Sequence, residues 1–236
     1  PARERDYLVT TLAAERAAKQ AEAPVSKAPV KDVFGNAGLM KLVILNFFYQ
    51  TGDYGYTLWL PTILKGLTGG NMASVGFLAV LPFVATLAGI YVISLFSDHS
   101  GKRRLWVRFS LYSFAAALVA SVVLRDQMVA AYIALVICGF FLKSATSPFW
   151  SMPGRIASPE VAGSARGVIN GLGNLGGFCG PYLVGVMMYL YGQNVAVCAL
   201  AGSLIIAGTM TFLLPKQCDL VDSDSDVAIK NQPRNA

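Results

Sequence analysis

Six long apolar stretches dominate this sequence between residues 38 and 215. A bilayer core about 30 Å thick requires roughly 20 apolar residues per helix, and each stretch reaches or approaches that length. Gly, Pro, Asn and Asp separate the stretches. The pattern predicts an all-α membrane protein with six transmembrane helices. The predicted spans are residues 38–64, 72–96, 105–124, 128–150, 162–190 and 194–214.

The composition agrees with a chain that lies largely in lipid. Only 14% of the 236 residues are charged and 55% are hydrophobic, whereas a soluble domain carries about 25% charged residues. The four cysteines have no metal-ligand spacing, and Cys138, Cys179 and Cys198 lie within apolar stretches. They are predicted to be small packing residues rather than disulfide partners or metal ligands. We expect no metal site and no cofactor.

Lys and Arg are distributed unevenly between the gaps that separate the stretches. Of the 19 basic residues, Lys65 and Arg125 fall on one side of the predicted membrane, Lys143 lies within a span, and the rest fall on the opposite side. The positive-inside rule makes the richer side cytoplasmic, so both termini are predicted to be cytoplasmic. This bias explains the net charge of +6 without a nucleic-acid partner.

Polar segments flank the predicted six-helix bundle of residues 38–215. Residues 1–37 are expected to form a cytoplasmic linker with a helical section near residues 4–22, and residues 216–236 a disordered cytoplasmic tail. The chain begins with Pro and shows no signal peptide, so we expect a piece of a longer multi-pass protein. Its membrane would be the plasma membrane, which is the inner membrane in a bacterium.

Polar residues recur at helical spacing inside the first span. Asn46, Gln50, Asp53 and Thr57 fall on one face of a helix, and Tyr49 lies beside them. Ionisable groups inside membrane helices are costly and commonly mark the path of a polar substrate or ion. This face is therefore a candidate binding surface.

The fourth span carries a similar polar face. Lys143, Ser147 and Trp150 share this face, and Pro148 removes a backbone hydrogen bond within the same turn. Irregular backbone at membrane depth survives only where protein or a water-filled cavity satisfies it. Trp150 could stack on the carbon face of a polyhydroxy acid, or it could be an aromatic anchor at the cytoplasmic interface.

The fifth span aligns Arg166, Asn170 and Asn174 on one face. The two amides could bind a substrate carboxylate or hydroxyl. Alternatively, they could form hydrogen bonds between helices, which are common in membrane bundles.

Asp53 and Lys143 both lie near the middle of their spans. An unpaired charge at that depth costs about 3 kcal/mol on insertion scales, so each group requires a partner. We predict that the two residues pair, or that Lys143 attracts an anionic substrate. The alternative is a purely structural ion pair between packed helices.

Glycines repeat every fourth residue in the fifth span. Small residues at this spacing allow helices to approach closely. The repeat predicts either tight static packing or a smooth surface on which one bundle rocks against another. The glycines concerned are Gly163, Gly167 and Gly171, then Gly173 with Gly177, and Gly176 with Gly180.

The cytoplasmic loop after the second span reads S-L-F-S-D-H-S-G-K-R-R over residues 94–104. Gly101 suits a tight turn, and Asp98 can accept hydrogen bonds at the start of the next helix or pair with Lys102, Arg103 or Arg104. Without a further role, this segment would be an ordinary positive-inside loop.

This loop resembles a signature of the major facilitator superfamily, G-x-x-x-D-R-x-G-R-[RK]-[RK], in the copy between the eighth and ninth helices. Ser94 replaces the first Gly and His99 replaces the Arg. Within the superfamily, the chain is similar to the anion:cation symporter family, whose members carry hexuronates, aldonates, tartrate and phthalate. The similar segments are P-F-W-S-M-P at residues 148–153 and G-V-I-N-G-L-G-N-L-G-G-F-C-G-P-Y-L-V-G at residues 167–185, with W-L-P at 59–61 and R-D-Y-L at 5–8.

The resemblance implies the C-terminal half, helices seven to twelve, of a twelve-helix carrier. Such a carrier would take up a small organic anion, a sugar acid or dicarboxylate, with protons, by alternating access around a midplane site. Its partners would be that anion, protons, the bilayer and an N-terminal six-helix half, and no nucleic acid. The polar faces and the resemblance together give the candidate substrate-binding residues Tyr49, Gln50, Asp53, Lys143, Ser147, Trp150, Asn170 and Asn174.

Two other classes of function remain open from the sequence. A membrane-embedded enzyme needs convergent acids, bases or metal ligands, but the single histidine, His99, lies in a loop, so no catalytic residue is predicted. A sensor or scaffold derived from a carrier would keep the helices without transporting. Lys143 is not matched to the family's pattern, so its role rests on its position alone.

Overall fold

The computed structural model describes residues 30–158 and 161–219, and all regular elements within them are helical. The expected helical section near residues 4–22 and the acidic residues after 219 lie outside the described part. The α-helices are α1 (Val30–Gly35), α2 (Ala37–Thr68), α3 (Met72–Ser100), α4 (Arg103–Val123), α5 (Met128–Leu142), α6 (Thr146–Trp150), α7 (Pro153–Ile156), α8 (Ala162–Tyr191) and α9 (Gln193–Met210). Two short 3-10 helices follow, Thr211–Leu213 and Lys216–Cys218.

Local signals set the ends of the 32-residue helix α2. The Asn36 side chain accepts hydrogen bonds from the backbone N–H groups of Gly38 at 2.9 Å and Leu39 at 3.3 Å, which caps the first turn. At the other end, Gly69 adopts a left-handed conformation with φ of 60° and donates its N–H to the Lys65 carbonyl. The helix is therefore longer at both ends than the predicted span of residues 38–64.

Four segments of the described chain are long and apolar enough to cross a membrane. They are Val75–Ser100, Arg103–Val123, Met128–Ile156 and Gln193–Leu213. The two other long helices, α2 and α8, have 32 and 30 residues and are long enough to span a bilayer. Polar residues on one face lower the mean hydropathy of α2 and α8. These two helices pack against each other more extensively than any other pair of described helices.

The long helical segments of the described chain divide, in chain order, into two units of three, and most of their packing is between the units. The first unit is α2, α3 and α4, and the second is α5 to α7, α8 and α9. Helix α2 packs on α8 and α9, and α5 packs on α3 and α4. By position in the two units, α2 corresponds to α5, α3 to α8 and α4 to α9. The contacts of α2 with α8 and α9 therefore correspond to the contacts of α5 with α3 and α4. The last helices of the two units, α4 and α9, pack on each other. Two repeated units related by a pseudo-two-fold axis would produce this arrangement.

Glycines on one side of α8 allow α2 to approach its backbone. A Cβ atom added at Gly176 would overlap the Phe47 carbonyl of α2, and one added at Gly180 would overlap the Thr51 carbonyl. Gly173 meets the side chain of Asn46 in the same way. This face of the glycine repeat is therefore used for tight packing within the described chain.

The other glycine face of α8 is open. A Cβ atom at Gly163, Gly167 or Gly171 would meet no described residue within 4 Å. The sequence offered static packing and a smooth sliding surface as alternatives for the whole repeat. The structure divides the repeat between two faces, one packed on α2 and one left uncovered.

The C-terminal segment is attached to the start of α4. The Asp219 carboxylate accepts from the Arg104 guanidinium at 2.7 Å and from the Arg104 backbone N–H at 2.9 Å, so it neutralises a charge and caps the helix. A second guanidinium nitrogen of Arg104 donates to the Leu214 carbonyl at 2.9 Å. Residues 216–219 were predicted to belong to a disordered tail, and for these four residues that prediction is wrong because Asp219 has this partner.

We predict that alanine at Gly180 destabilises the bundle. The added methyl group must separate α2 from α8, and overpacking of this kind costs about 1–3 kcal/mol. In the matched control Gly202→Ala, inside α9, the new Cβ atom meets nothing within 4 Å, so no loss is expected. Thermal unfolding of the full-length gene product in detergent measures both. Equal unfolding temperatures for the two variants would contradict the assigned packing.

We also predict that Cys218 reacts slowly with alkylating reagents while Asp219 holds the segment. Burial raises the pKa of the Cys218 thiol to about 11, against the opposing effect of Arg104 and Arg155. Because the thiolate is the reactive form, the labelling rate at pH 8 should be low and should rise as the pH approaches 11. Asp219→Ala should release the segment and accelerate labelling at pH 8.

Labelling is measured with iodoacetamide on a variant that keeps Cys218 and lacks the other three cysteines. The control is Asp126→Ala, because Asp126 is an exposed carboxylate remote from Cys218. Equal labelling rates in the Asp219 and Asp126 variants would show that the carboxylate of Asp219 does not hold the segment.

Candidate functional site

The fourth predicted span is interrupted near its middle, where a turn at residues 143–145 separates α5 from α6. Pro148 explains the interruption, because it has no N–H to donate to the Ser144 carbonyl and its ring crowds that carbonyl. The Thr146 N–H therefore donates to the Lys143 carbonyl at 3.0 Å rather than to Leu142, four residues back. The interruption places Lys143 at the end of a helix and in the middle of the Met128–Ile156 segment.

Side chains satisfy the carbonyl groups that the interruption releases. The Tyr49 hydroxyl donates to the Leu142 carbonyl at 2.8 Å and lies 3.1 Å from the Thr146 hydroxyl. The Thr86 hydroxyl donates to the Gly139 carbonyl at 2.9 Å. Unsatisfied carbonyls are expensive in lipid, so these bonds make the broken helix tolerable at membrane depth. Tyr49 was predicted to bind substrate, and the structure uses its hydroxyl to support the backbone beside Lys143.

Asp53 and Lys143 form an ion pair at this level. The Lys143 Nζ atom lies 2.7 Å from the Asp53 Oδ2 atom. The Asp53 side chain is only 3% exposed, whereas that of Lys143 is 38% exposed. The second carboxylate oxygen, Oδ1, is buried and has no hydrogen-bond partner within the described residues. The pair therefore joins a deeply buried carboxylate to a cation that the chain only partly covers.

Tyr54 borders the uncovered side of Lys143. The Lys143 Nζ atom lies 5.7 Å from the centre of the Tyr54 ring, which is a favourable place for a cation. The same ring lies against α8 at Gly177, where an added Cβ atom would come within 2.9 Å of it. Tyr54 thus connects the surroundings of Lys143 to α8.

One turn along α8 from Gly177, three amides form a hydrogen-bonded row. The Gln50 Nε2 atom donates to the Asn174 Oδ1 atom at 2.7 Å, and the Asn174 Nδ2 atom donates to the Asn170 Oδ1 atom at 3.0 Å. Asn170 and Asn174 are exposed. Each amide in the row keeps unused donors or acceptors that face away from the helices. The structure therefore brings together these three predicted site residues.

Two other predicted site residues are less available. The Ser147 hydroxyl lies 2.9 Å from the Ser94 hydroxyl of α3 and is paired with it. Trp150 is half-buried, and its ring packs edge-on against Phe149 with centroids 5.2 Å apart. Neither the stacking role nor the interfacial role of Trp150 follows from this position.

The cytoplasmic loop has the tight geometry that its glycine indicates. Gly101 has φ of 66°, in the left-handed region that favours glycine. Asp98 pairs with Arg103 at 3.0 Å across the turn, while Arg104 pairs with Asp219 instead. Lys102 is the residue immediately before α4, and its side chain makes no capping hydrogen bond to this helix. The loop thus joins α3, α4 and the C-terminal segment into one charged cluster.

Sequence reasoning missed Tyr54 and Thr86. Tyr54 lies next to Asp53 in sequence, but it faces α8 and was not part of the polar stripe. Thr86 lies in α3 among apolar residues, and its hydroxyl is within hydrogen-bond distance of the Pro82 carbonyl in its own helix, at 3.0 Å, and of the Gly139 carbonyl, at 2.9 Å. A search for hydroxyl groups near a proline inside a span could have found it.

The residues of the pair and of the amide row do not line the polar cavity at the other end of the bundle. That cavity, of about 560 Å³, lies among residues that include Ile63, Arg125, Asp126, Gln193 and Asn194. Lys143 and the amides of α8 instead reach the exposed surface of the described chain, whereas the Asp53 carboxylate is buried.

Comparison with known proteins agrees with this architecture. The sequence profile of the Major Facilitator Superfamily matches residues 42–225. A quinolone resistance transporter of Acinetobacter baumannii is 34% identical over 66% of this chain and 36% of its own length. A protein of Agrobacterium vitis named for tartrate transport is 28% identical over 90% of this chain and 48% of its own length. A Bacillus subtilis protein named for galactarate and D-glucarate transport is 24% identical over 87% and 45%.

The chain spans between about a third and about half of the length of the curated relatives it matches. These relatives are named as transporters, and the two names that refer to tartrate and to galactarate and D-glucarate agree with the anion:cation symporter family that the sequence motifs indicated. The profile match covers most of the described helices and both polar faces of the site. The chain therefore belongs to the Major Facilitator Superfamily.

Proposed function

We propose that this chain supplies the C-terminal six helices of a secondary carrier that takes up a small organic anion together with protons. The observation that carries the proposal is Lys143, a partly uncovered cation at the middle of an apolar segment. A charge at this depth is costly and is retained where a substrate or ion must pass. A cation there favours an anionic substrate.

The amide row gives the substrate a second set of contacts. Exposed amides on α8 present both donors and acceptors, which suits the hydroxyl groups and the second carboxylate of a sugar acid or dicarboxylate. The names of two relatives refer to tartrate and to galactarate and D-glucarate, which are anions of this kind. Both features support an organic anion as the substrate class.

The uncovered face supports a second six-helix half as the partner. Helix α3 leaves Phe77 and Leu87 83% and 69% exposed, and α8 leaves Phe178 and Tyr182 75% and 67% exposed. Apolar surface of this extent is covered by lipid or by another protein. We propose that all six long segments cross the membrane, with both termini in the cytoplasm of the cell.

Alternating access follows from this arrangement. The two halves would rock about the substrate at the bilayer midplane and expose it to one side at a time. The open glycine face of α8, formed by Gly163, Gly167 and Gly171, offers a surface on which another helix could slide.

The proposal predicts that uptake depends on Lys143. In cells or liposomes that contain the full-length gene product, uptake of labelled galactonate, glucuronate, tartrate or phthalate should occur and should increase with an inward proton gradient. Lys143→Met should reduce the uptake of the transported anion by about 100-fold or more, the equivalent of losing a charge-assisted contact of about 3 kcal/mol.

The control for Lys143→Met is Lys65→Met, which removes an exposed lysine near the end of α2 and should leave uptake unchanged. Undiminished uptake in Lys143→Met would exclude Lys143 from the site. An absence of competition from all four carboxylates would refute the organic-anion assignment itself.

A second prediction separates Tyr49 from the residues that contact substrate. Tyr49→Phe leaves the Leu142 carbonyl without its partner, which should destabilise the protein by about 1–3 kcal/mol. The Michaelis constant for the anion should change little, because the hydroxyl is already used by the backbone. Thermal unfolding and uptake kinetics measure the two effects. A large rise in the Michaelis constant without a loss of stability would indicate that Tyr49 contacts the substrate.

A further inference from the structure

We infer that Asp53 is a proton-carrying residue of this carrier and that its protonation releases Lys143 to bind the substrate anion. The inference rests on the proposed function and assigns its coupling to one pair of side chains. In the structure Lys143 is bonded to Asp53, so the cation is already neutralised. An anion that binds there must displace the carboxylate or find it neutral.

The geometry of Asp53 suits a group that takes up a proton. Its Oδ2 atom accepts from Lys143 at 2.7 Å, while Oδ1 is buried without a partner in the described chain. A buried carboxylate with a single cationic partner has little else to stabilise its charge, since burial opposes ionisation. Oδ1 is therefore a free position for a proton, and adding the proton removes the charge that holds Lys143.

The surroundings of Asp53 contain few other charges. Lys143 is the charged group that acts on it, and Tyr49, one turn earlier on α2, is the titratable group close enough to sense its charge. Helix α9 packs on α2 with Leu200 and Leu204, against Gly55 and Gly52. The contacts that α3 makes nearby come from hydroxyl groups that are paired elsewhere.

Helix α8 also brings no charge to Asp53. It packs on α2 through Gly176 and Gly180, which meet the backbone at Phe47 and Thr51. Its basic residue, Arg166, lies near the first turn of α8, with the guanidinium beside Gly154 in α7. Among the charged side chains of the described residues, Lys143 is therefore the one that contacts Asp53.

Charge balance explains why the proton and the anion would move together. The empty site contains one carboxylate and one ammonium group, so its net charge is zero. When one proton adds to Asp53 and a substrate with a single carboxylate, such as galactonate, pairs with Lys143, the net charge is again zero. The site with substrate but no proton would carry one uncompensated negative charge, which is costly within the membrane. The loaded carrier would thus cross between its two states only with the proton bound.

The test is the pH dependence of anion binding to the purified full-length gene product, with galactonate and tartrate as probes. Binding that requires protonation of Asp53 strengthens as the pH falls, by about tenfold per pH unit for one linked proton. In Asp53→Asn, the number of protons linked to anion binding should fall by one, and the variant should still bind the anion. Galactonate exchange across liposomes should also persist in this variant, whereas accumulation driven by a proton gradient should be lost.

The matched control is Asp126→Asn, which removes an exposed carboxylate outside the membrane segments. This variant should keep the full pH dependence of anion binding. An unchanged slope in Asp53→Asn would overturn the inference and leave the proposed function standing. Failure of the wild-type protein to bind any of the anions at any pH would refute the proposed function as well.

A measurement on the wild-type protein covers the case in which Asp53→Asn does not fold. Infrared difference spectra at constant pH should show a carboxylic acid C=O band appearing when galactonate binds, with the ligand carboxylate labelled with ¹³C to separate its signals. The Asp53→Glu variant should shift this band. Binding without a new acid band, or a band unaffected by Asp53→Glu, would overturn the inference.

Discussion

The ion pair between Asp53 and Lys143 is the constraint on which the rest of the structure depends. Two charges near the middle of apolar helices can be tolerated only if they are held together. This requires α2 to lie beside the interruption between α5 and α6, with the Lys143 Nζ atom 2.7 Å from the carboxylate. The hydroxyl of Tyr49 supports the released Leu142 carbonyl at the same level. The glycines of α8 then allow the polar helix α2 to be packed closely from its other side.

Much of this arrangement could be predicted from the sequence. The long apolar stretches predicted the long helices, because the thickness of the bilayer fixes the length of helix needed to cross it. The pairing of Asp53 with Lys143 followed from the cost of an isolated charge, although the two residues are 90 positions apart. Helical spacing predicted that Gln50 lies on a polar face of the first span and that Asn170 and Asn174 share a face of the fifth, but the hydrogen bond that joins the two faces was not predicted.

The remaining features depend on tertiary contacts that spacing cannot reveal. The position of Tyr49 on a polar face did not show that a neighbouring helix would use its hydroxyl for a backbone carbonyl. The glycine repeat of α8 did not show which face would meet α2. Asp219 was expected to be disordered because it begins an acidic segment, but the unpaired N–H group and guanidinium of Arg104 give it a specific partner. Contacts with distant parts of the chain decided all three cases.

The central proposal is that Lys143 holds either Asp53 or a substrate anion. A structure of the full-length gene product with a bound transported anion tests it most directly. We expect the anion's carboxylate within ion-pair distance of the Lys143 amine, the Asp53 contact opened, and the amides of α8 bonded to the rest of the ligand. An anion bound elsewhere, with the contact between Asp53 and Lys143 intact, would contradict the account.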